Sequence, residues 1–294
     1  MAIETLLKRQ NPDGGWPYSR GGSWTEPTVY ATLALLAVGE REAAGRGMRW
    51  IHGSVRPDGG WAARVGVEQS VWVTGLVAML PPERLGRARY AGAIQWLLAT
   101  SGQETALAYR LREFLLGNSP PPEQKYPGWP WVPGTAAWVG PTSIAIVALR
   151  RAARLGNSPA LRERLESGRQ FLLARTCHEG GWNHGSARTL GYESRPYPEN
   201  TGMALVALAG VKAPEVERGL AAARQFLAEC HSADAHNWLR LGLQAHGHMP
   251  ADYCVPMLNY RTTPETALDL LIEQKDNPFL DAVPADAPRA GGRG

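Results

Sequence analysis

One phrase occurs three times in this chain: Asn11-Pro12-Asp13-Gly14-Gly15-Trp16, Arg56-Pro57-Asp58-Gly59-Gly60-Trp61 and His178-Glu179-Gly180-Gly181-Trp182. Each copy follows one helical stretch and precedes another, so the chain is an array of helix–loop–helix units. No such unit hides its apolar face except against its neighbours. Where Pro and Asp are present they start a turn. The glycines supply positive φ and close backbone approach, and the Trp buries a large ring between adjacent helices. The phrase reads as a staple between units.

A second element follows each loop or its degenerate equivalent. It runs Glu26-Pro27-Thr28, Glu68-Gln69-Ser70, Gln103-Glu104-Thr105, Gly140-Pro141-Thr142, Glu199-Asn200-Thr201 and Asp234-Ala235-His236, six helix starts on one template. Runs rich in Ala, Leu and Val come next, as in Ala31 to Val38, Ser143 to Leu149 and Gly202 to Gly210. A helix apolar all round is a buried helix. Stretches with a polar face and an aromatic near the end alternate with them, such as Arg49-Trp50-Ile51, Gln95-Trp96-Leu97, Arg169-Gln170-Phe171-Leu172 and Arg224-Gln225-Phe226-Leu227. These read as an outer, half-exposed layer.

Six buried helices and about as many outer ones favour closure into an all-α (α/α)6 toroid over an open solenoid. The starts of the buried helices then rim one mouth. Residues 1–278 are expected to form one domain, with 260–275 as a last outer helix that seals the ring and 279–294 as a disordered tail. The Pro/Gly-rich stretches 118–134 and 185–198 read as rim insertions, and loops of that length often act as lids.

At 294 residues and 44% hydrophobic content the chain can bury one large core. The formal charge of +4 is spread over the presumed outer helices, a solvated face that gives no sign of nucleic-acid binding. Cys177, Cys230 and Cys254 are an odd number with no regular framework, which suits a reducing, cytoplasmic setting. No apolar run approaches the roughly 20 residues a spanning helix needs. There is no Asp-Asp-x-x-Asp magnesium pair, phosphate-cradling glycine loop or Gly-x-Ser-x-Gly elbow, so no cofactor is expected.

Helix-then-Gly-Gly-Trp repeats followed by Thr-containing starts, such as Trp24-Thr25-Glu26-Pro27-Thr28 and Ala137-Trp138-Val139-Gly140-Pro141-Thr142, resemble the squalene–hopene cyclase and prenyltransferase repeat family. The resemblance covers about residues 1–245. It implies an α/α toroid around a central, aromatic-lined cavity for a small apolar isoprenoid ligand. In the class II terpene cyclases an Asp-x-Asp-Asp-Thr-Ala stretch opens one inner helix, and its middle aspartate protonates an alkene or epoxide. That stretch is absent here. Aligned by its Thr, the acid's place falls on Glu26 and Glu199, and in the same register on Glu68 and Asp234.

Protonating an alkene requires a carboxyl group that is neutral, dry and tuned by its neighbours. Glu26, Glu199 and Asp234 are the catalytic candidates. The competing reading is helix capping, because acids in a first turn meet the helix dipole and Thr or Ser there caps orphan amides. Ring faces stabilise a carbocation by roughly 0.5–2 kcal/mol each, so Trp24, Tyr30, Trp72, Tyr109, Trp138 and Trp238 are candidate cavity residues. Ordinary packing is their alternative. His236 is a candidate hydrogen-bonding group at the rim, against a structural role, and Trp129-Pro130-Trp131 either covers a mouth or fastens its insertion.

The resemblance also brings to mind a prenyltransferase-like zinc set in Asp252 and Cys254 with His246 and His248. Their order differs from that family's, and they read as unrelated surface residues, so no metal is expected. Arg64, Arg188 and Arg195 lie in the rim loops where a diphosphate would bind. Three functions remain open: a terpenoid-cyclase-like enzyme using acid chemistry, a non-catalytic isoprenoid-binding toroid, and a helical scaffold or prenyltransferase-like subunit. The first is preferred, with catalysis itself and the oligomeric state left open by the sequence.

Overall fold

A computed structural model describes residues 2–105, 111–112, 115–116, 125–185, 188–189, 192–250 and 253–280. Its helices are α1 (Ala2–Arg9), α2 (Thr25–Ala37), α3 (Arg41–Gly53), α4 (Val73–Val77), α5 (Pro82–Leu85), α6 (Arg87–Ala99), α7 (Val139–Leu155), α8 (Pro159–Leu173), α9 (Pro198–Ala207), α10 (Pro214–Glu229), α11 (Ala233–Ala245) and α12 (Thr263–Ile272). Among the described residues the paired strands are one two-residue hairpin, Arg188–Thr189 against Tyr192–Glu193, inside the second insertion. No helix there is long and apolar enough to cross a membrane.

Six helices, α2, α4, α7, α9, α11 and α12, touch in that order, and α12 returns to touch α2. This is the inner ring of an α/α toroid. The outer helices follow the same order: α3 packs on α2, α6 on α4 and α7, α8 on α7, α10 on α9 and α11, and α1 on α12. The first inner helix, α2, is buried on nearly all sides, with Val29, Ala31, Leu33, Ala34 and Leu35 inaccessible or nearly so.

The repeated Trp carries out the stapling in the same way each time. Trp16, Trp61, Trp129 and Trp182 are fully buried. Their indole N–H groups donate to the outer-helix carbonyls of Leu6, Ile51, Leu97 and Leu172 at 2.7–2.9 Å. Their backbone N–H groups donate to the hydroxyls of Thr28, Thr74, Thr142 and Thr201 on the next inner helix at 2.8–3.0 Å. Outer and inner layers are therefore tied through one residue. The glycines divide the labour: Gly14 and Gly59 sit at φ +92° and +82°, and a Cβ on Gly15 or Gly60 would fall within 2.7 Å of Ser23 or Ser70.

These bonds correct the register of two expected helix starts. Thr74 takes the repeat's Thr position, so Ser70 corresponds to Ser23 instead: both donate to the turn aspartate, Asp58 or Asp13, at 2.7 Å. Glu68 is accordingly exposed and lies before the helix. Gln103–Thr105 is a 3-10 turn rather than an inner helix start. Glu104 accepts the Ala137 N–H at 3.1 Å and faces Arg175 at 3.7 Å, both side chains nearly inaccessible, so it is a buried clamp.

The sixth inner helix is α12, expected as an outer one. Thr262 opens it with a capping box completed by Glu265, and Thr266 falls in the repeat register. Its buried residues Ala267, Leu268, Leu271 and Ile272 meet α2 and α11. Ordered structure also continues past residue 278. Phe279 is completely buried, because its ring stacks on Tyr30 and meets Trp238 edge-on. Residues 281–294 of the expected tail lie outside the described residues.

The tightest inner crossing is α9 on α11, where Gly202 faces the backbone of Trp238 and Gly242 faces that of Gly202. A Cβ on Gly202 would stand 2.3 Å from the Trp238 carbonyl carbon. Gly202→Ala must push the helices apart, and overpacking of this kind costs about 1–3 kcal/mol. Chemical denaturation is expected to show that loss, whereas an unchanged midpoint would mean the crossing is looser than described.

Candidate functional site

The inner helices begin at one mouth of the ring, so residues in the same repeat position converge there. Two positions before the repeat Thr, the ring presents Glu26, Trp72, Gly140, Glu199, Asp234 and Pro264, and all six line one cavity of about 230 Å³. One turn deeper the wall is Tyr30, Met203, Trp238 and Leu268. Trp131, His184 and Asn200 complete it. The volume is below the ~300–1,000 Å³ common for ligand pockets and above the ~150 Å³ that holds benzene in an apolar cavity.

Three carboxyl groups thus face a wall of rings, and no Lys or Arg lines the cavity among the described residues. Glu26 accepts a very short hydrogen bond from the Tyr18 hydroxyl. Burial pushes the Glu26 carboxyl up to about 7, the Tyr18 bond opposes that, and the charge of Asp234 adds to it. Asp234 is pushed up to about 6 by burial first, then by the charges of Glu199 and Glu265, against the favourable indole of Trp238. Both side chains are half-buried and line the cavity. Burial and the neighbouring Glu26 likewise raise the Tyr18 phenol above its ordinary value, so it stays a donor.

These raised values have a consequence for stability. The folded chain holds protons that the unfolded chain has already lost, so stability falls as pH rises from about 4 through about 7. Thermal unfolding is expected to give a higher midpoint at pH 5 than at pH 8, and a double Glu26→Gln, Asp234→Asn variant is expected to flatten that difference. An equal slope in the double variant would assign the effect to other groups.

All three candidate acids stand in the first turn of their helices, where they meet the helix dipole. Ser232 caps α11 by accepting the Ala235 N–H at 3.4 Å. At α2 the cap position, Trp24, makes no side-chain cap bond, and the Glu26 carboxylate is taken by Tyr18.

Of the expected aromatic residues, Tyr30, Trp72 and Trp238 line the cavity and Trp24, Trp138 and His236 do not; Tyr109 lies outside the described residues. Trp24 is held between Tyr18, at 5.7 Å, and the Arg64 guanidinium, at 5.1 Å. Trp138 is partly exposed beside His184. His236 occupies the repeat's Thr position but points outward. It meets the Tyr253 hydroxyl at 2.9 Å and the Leu227 carbonyl of α10, the kind of outer-helix contact the indoles make in the other repeats.

Arg195 is exposed and absent from the cavity wall, as is Arg64, and the side chain of Arg188 is not described. The suggested zinc residues are used separately: His246 meets the Leu205 carbonyl at 2.9 Å and His248 accepts from Arg224 at 3.0 Å. Cys254 is exposed and free, and Asp252 lies outside the described residues.

Sequence reasoning missed Met203, Asn200, His184, Pro264 and Leu268 and left Trp131 between two readings. Met203 and Asn200 follow from Glu199 by position alone. Pro264 and Leu268 were hidden by the assignment of α12 to the outer layer. Trp131 meets Trp72 edge-on at 4.8 Å, so the first insertion contributes to the wall while Trp129 two residues earlier is a staple. His184 accepts from the Asn200 amide at 2.7 Å.

No known protein family matches the chain, and no curated protein matches it. Solved structures do. The type II terpene cyclase MstE from Scytonema is 18% identical, with 95% of this chain and 78% of that one covered and a TM-score of 0.55. Another structure of MstE holds geranylgeranyl dihydroxybenzoate as its substrate. The endo-beta-1,4-glucanase CMCax from Acetobacter xylinum is 15% identical, over 92% and 96% of the two chains, with a TM-score of 0.57. Cel10, a family 8 glycosyl hydrolase from Klebsiella pneumoniae, is 16% identical over 92% and 98%, also at 0.57. At these identities the likeness carries the fold alone, and that fold is the α/α toroid.

Proposed function

We propose that the protein is a terpenoid-cyclase-like enzyme that protonates a small isoprenoid in the central cavity, with Glu26 as the proton donor. The observation that carries this reading is the placement of the Glu26 carboxyl, hydrogen-bonded by Tyr18 and opening onto rings instead of cationic side chains, where burial favours its protonated form. The terminal alkene takes the carboxyl proton, leaving a tertiary cation and a carboxylate. A second alkene of the same molecule attacks the cation, a proton is lost to Asp234 or water, and exchange with solvent returns a proton to Glu26. The sum is an isomerisation that needs no co-reactant.

Tyr30, Trp72, Trp131 and Trp238 supply ring faces to the cation at roughly 0.5–2 kcal/mol each. Glu199 and Asp234 supply negative charge around it. The cyclase MstE, whose substrate carries a geranylgeranyl chain, has the same fold and supports the ligand class without fixing its length. Non-catalytic isoprenoid binding, or service as a scaffold or partner subunit, gives no role to a carboxyl held near neutrality.

A second reading has its own support. A protonated carboxyl beside a second carboxyl is also the equipment of a glycosidase, and two of the similar toroids are glucanases. Incubation with geraniol and farnesol, and separately with cellopentaose, discriminates. Cyclised isomers of unchanged mass support the cyclase; released reducing ends with no cyclised product overturn it in favour of the glycosidase. If neither substrate reacts but the prenols are retained in native mass spectra, binding without catalysis replaces both.

A further inference from the structure

Tyr30 and Trp238 line the cavity one helical turn along α2 and α11 from Glu26 and Asp234. Both rings rest on Phe279, which stacks on Tyr30 at 6.0 Å and meets Trp238 edge-on at 5.3 Å. From this geometry we infer that Phe279, brought into the ring by the segment after α12, is a specificity-determining plug that limits the length of the ligand. The inference rests on the apolar-ligand reading of the cavity.

The segment that delivers Phe279 is held by bonds its ring does not share. Asn277, fully buried, donates from its amide to the Leu271 carbonyl at 3.0 Å and accepts the Phe279 N–H at 3.0 Å. The Arg151 guanidinium of α7 donates to the Pro278 carbonyl at 3.2 Å. The backbone at 277–279 is thus fixed from outside the cavity, and truncating the side chain removes the support beneath Tyr30 and Trp238 while the anchor stays. Large-to-small changes at buried rings leave space that collapses only in part. The space left lies behind Tyr30 and Trp238, and retreat of those rings into it lengthens the chamber they line.

The test compares wild type with Phe279→Ala for binding of geraniol, farnesol and geranylgeraniol, read by tryptophan fluorescence and calorimetry. Wild type is expected to prefer geraniol. The variant is expected to bind geranylgeraniol at least tenfold more tightly than wild type does, with geraniol affinity changed by less than about threefold. An unchanged chain-length preference, with geraniol still bound by both proteins, overturns the role of Phe279 and leaves the apolar-ligand reading standing. Binding of no prenol by either protein overturns both together. Should the Ala variant fail to fold, Phe279→Leu is expected to shift the preference toward farnesol, and the same preference as wild type overturns the inference.

Discussion

Trp61→Ala is expected to lower the unfolding free energy by about 3–5 kcal/mol, the range for truncating a fully buried aromatic ring. Trp61 is inaccessible to solvent, its indole donates to Ile51 of α3, and its backbone donates to Thr74 of α4. Truncation empties the space between an outer and an inner helix and removes the indole donor from the Ile51 carbonyl, which keeps only the Ser54 N–H. Because the ring closes only when every inner helix meets its neighbours, the loss is expected in one cooperative transition rather than as local fraying. Guanidinium unfolding followed by circular dichroism measures it. A loss below about 0.5 kcal/mol, the usual scale of a surface substitution, would contradict the stapling role.

Glu26→Gln is expected to abolish cyclisation, with a fall of about 10²–10⁴ from the loss of the positioned acid alone. Stability is expected to match wild type at pH 5 and to exceed it at pH 8, because Gln keeps an acceptor for Tyr18 and no charge remains to be buried. The two readouts together separate catalysis from support: a large stability loss with turnover intact would make Glu26 a structural partner of Tyr18 and nothing more. Asp234→Asn is the companion experiment. It removes one of the charges that keep the Glu26 carboxyl high, so the pH at which activity falls is expected to move down.

The toroid was legible because its staples are sequence-local. A Trp ten residues after its carbonyl partner, as in Leu6 to Trp16 and Ile51 to Trp61, repeats visibly along the chain. The acids' shared repeat position was legible, but which of Glu26, Glu68, Glu199 and Asp234 face the cavity was not, and Glu68 is the one that does not line it. The reading slipped where a side chain imitated the template. Ser70 looked like a helix-start residue, but its hydroxyl belongs to Asp58 in the turn. Gln103-Glu104-Thr105 offered the same pattern, yet Glu104 is drawn into a clamp with Arg175 and the Ala137 amide.

What the sequence hid depends on long-range contact. Phe279 is near the end of the chain, among residues with the composition of a tail, and is buried only because Tyr30 and Trp238 leave a ring-sized space. Trp129 and Trp131 are two residues apart, and nothing local shows that the first staples α6 to α7 while the second meets Trp72 at the cavity. His236 occupies a Thr position and so promised a place at the rim. Its outward turn toward Leu227 and Tyr253 reflects the lack of a stapling Trp in that repeat.

The most direct test of Glu26 as a proton donor to an alkene is deuterium incorporation. In heavy water the Glu26 carboxyl exchanges with solvent before each turnover, so geraniol or farnesol incubated with wild type is expected to give a cyclised isomer carrying a single carbon-bound deuterium, which Glu26→Gln does not form. Cyclised product at the wild-type rate from the Gln variant, or product without deuterium from wild type, would contradict the account.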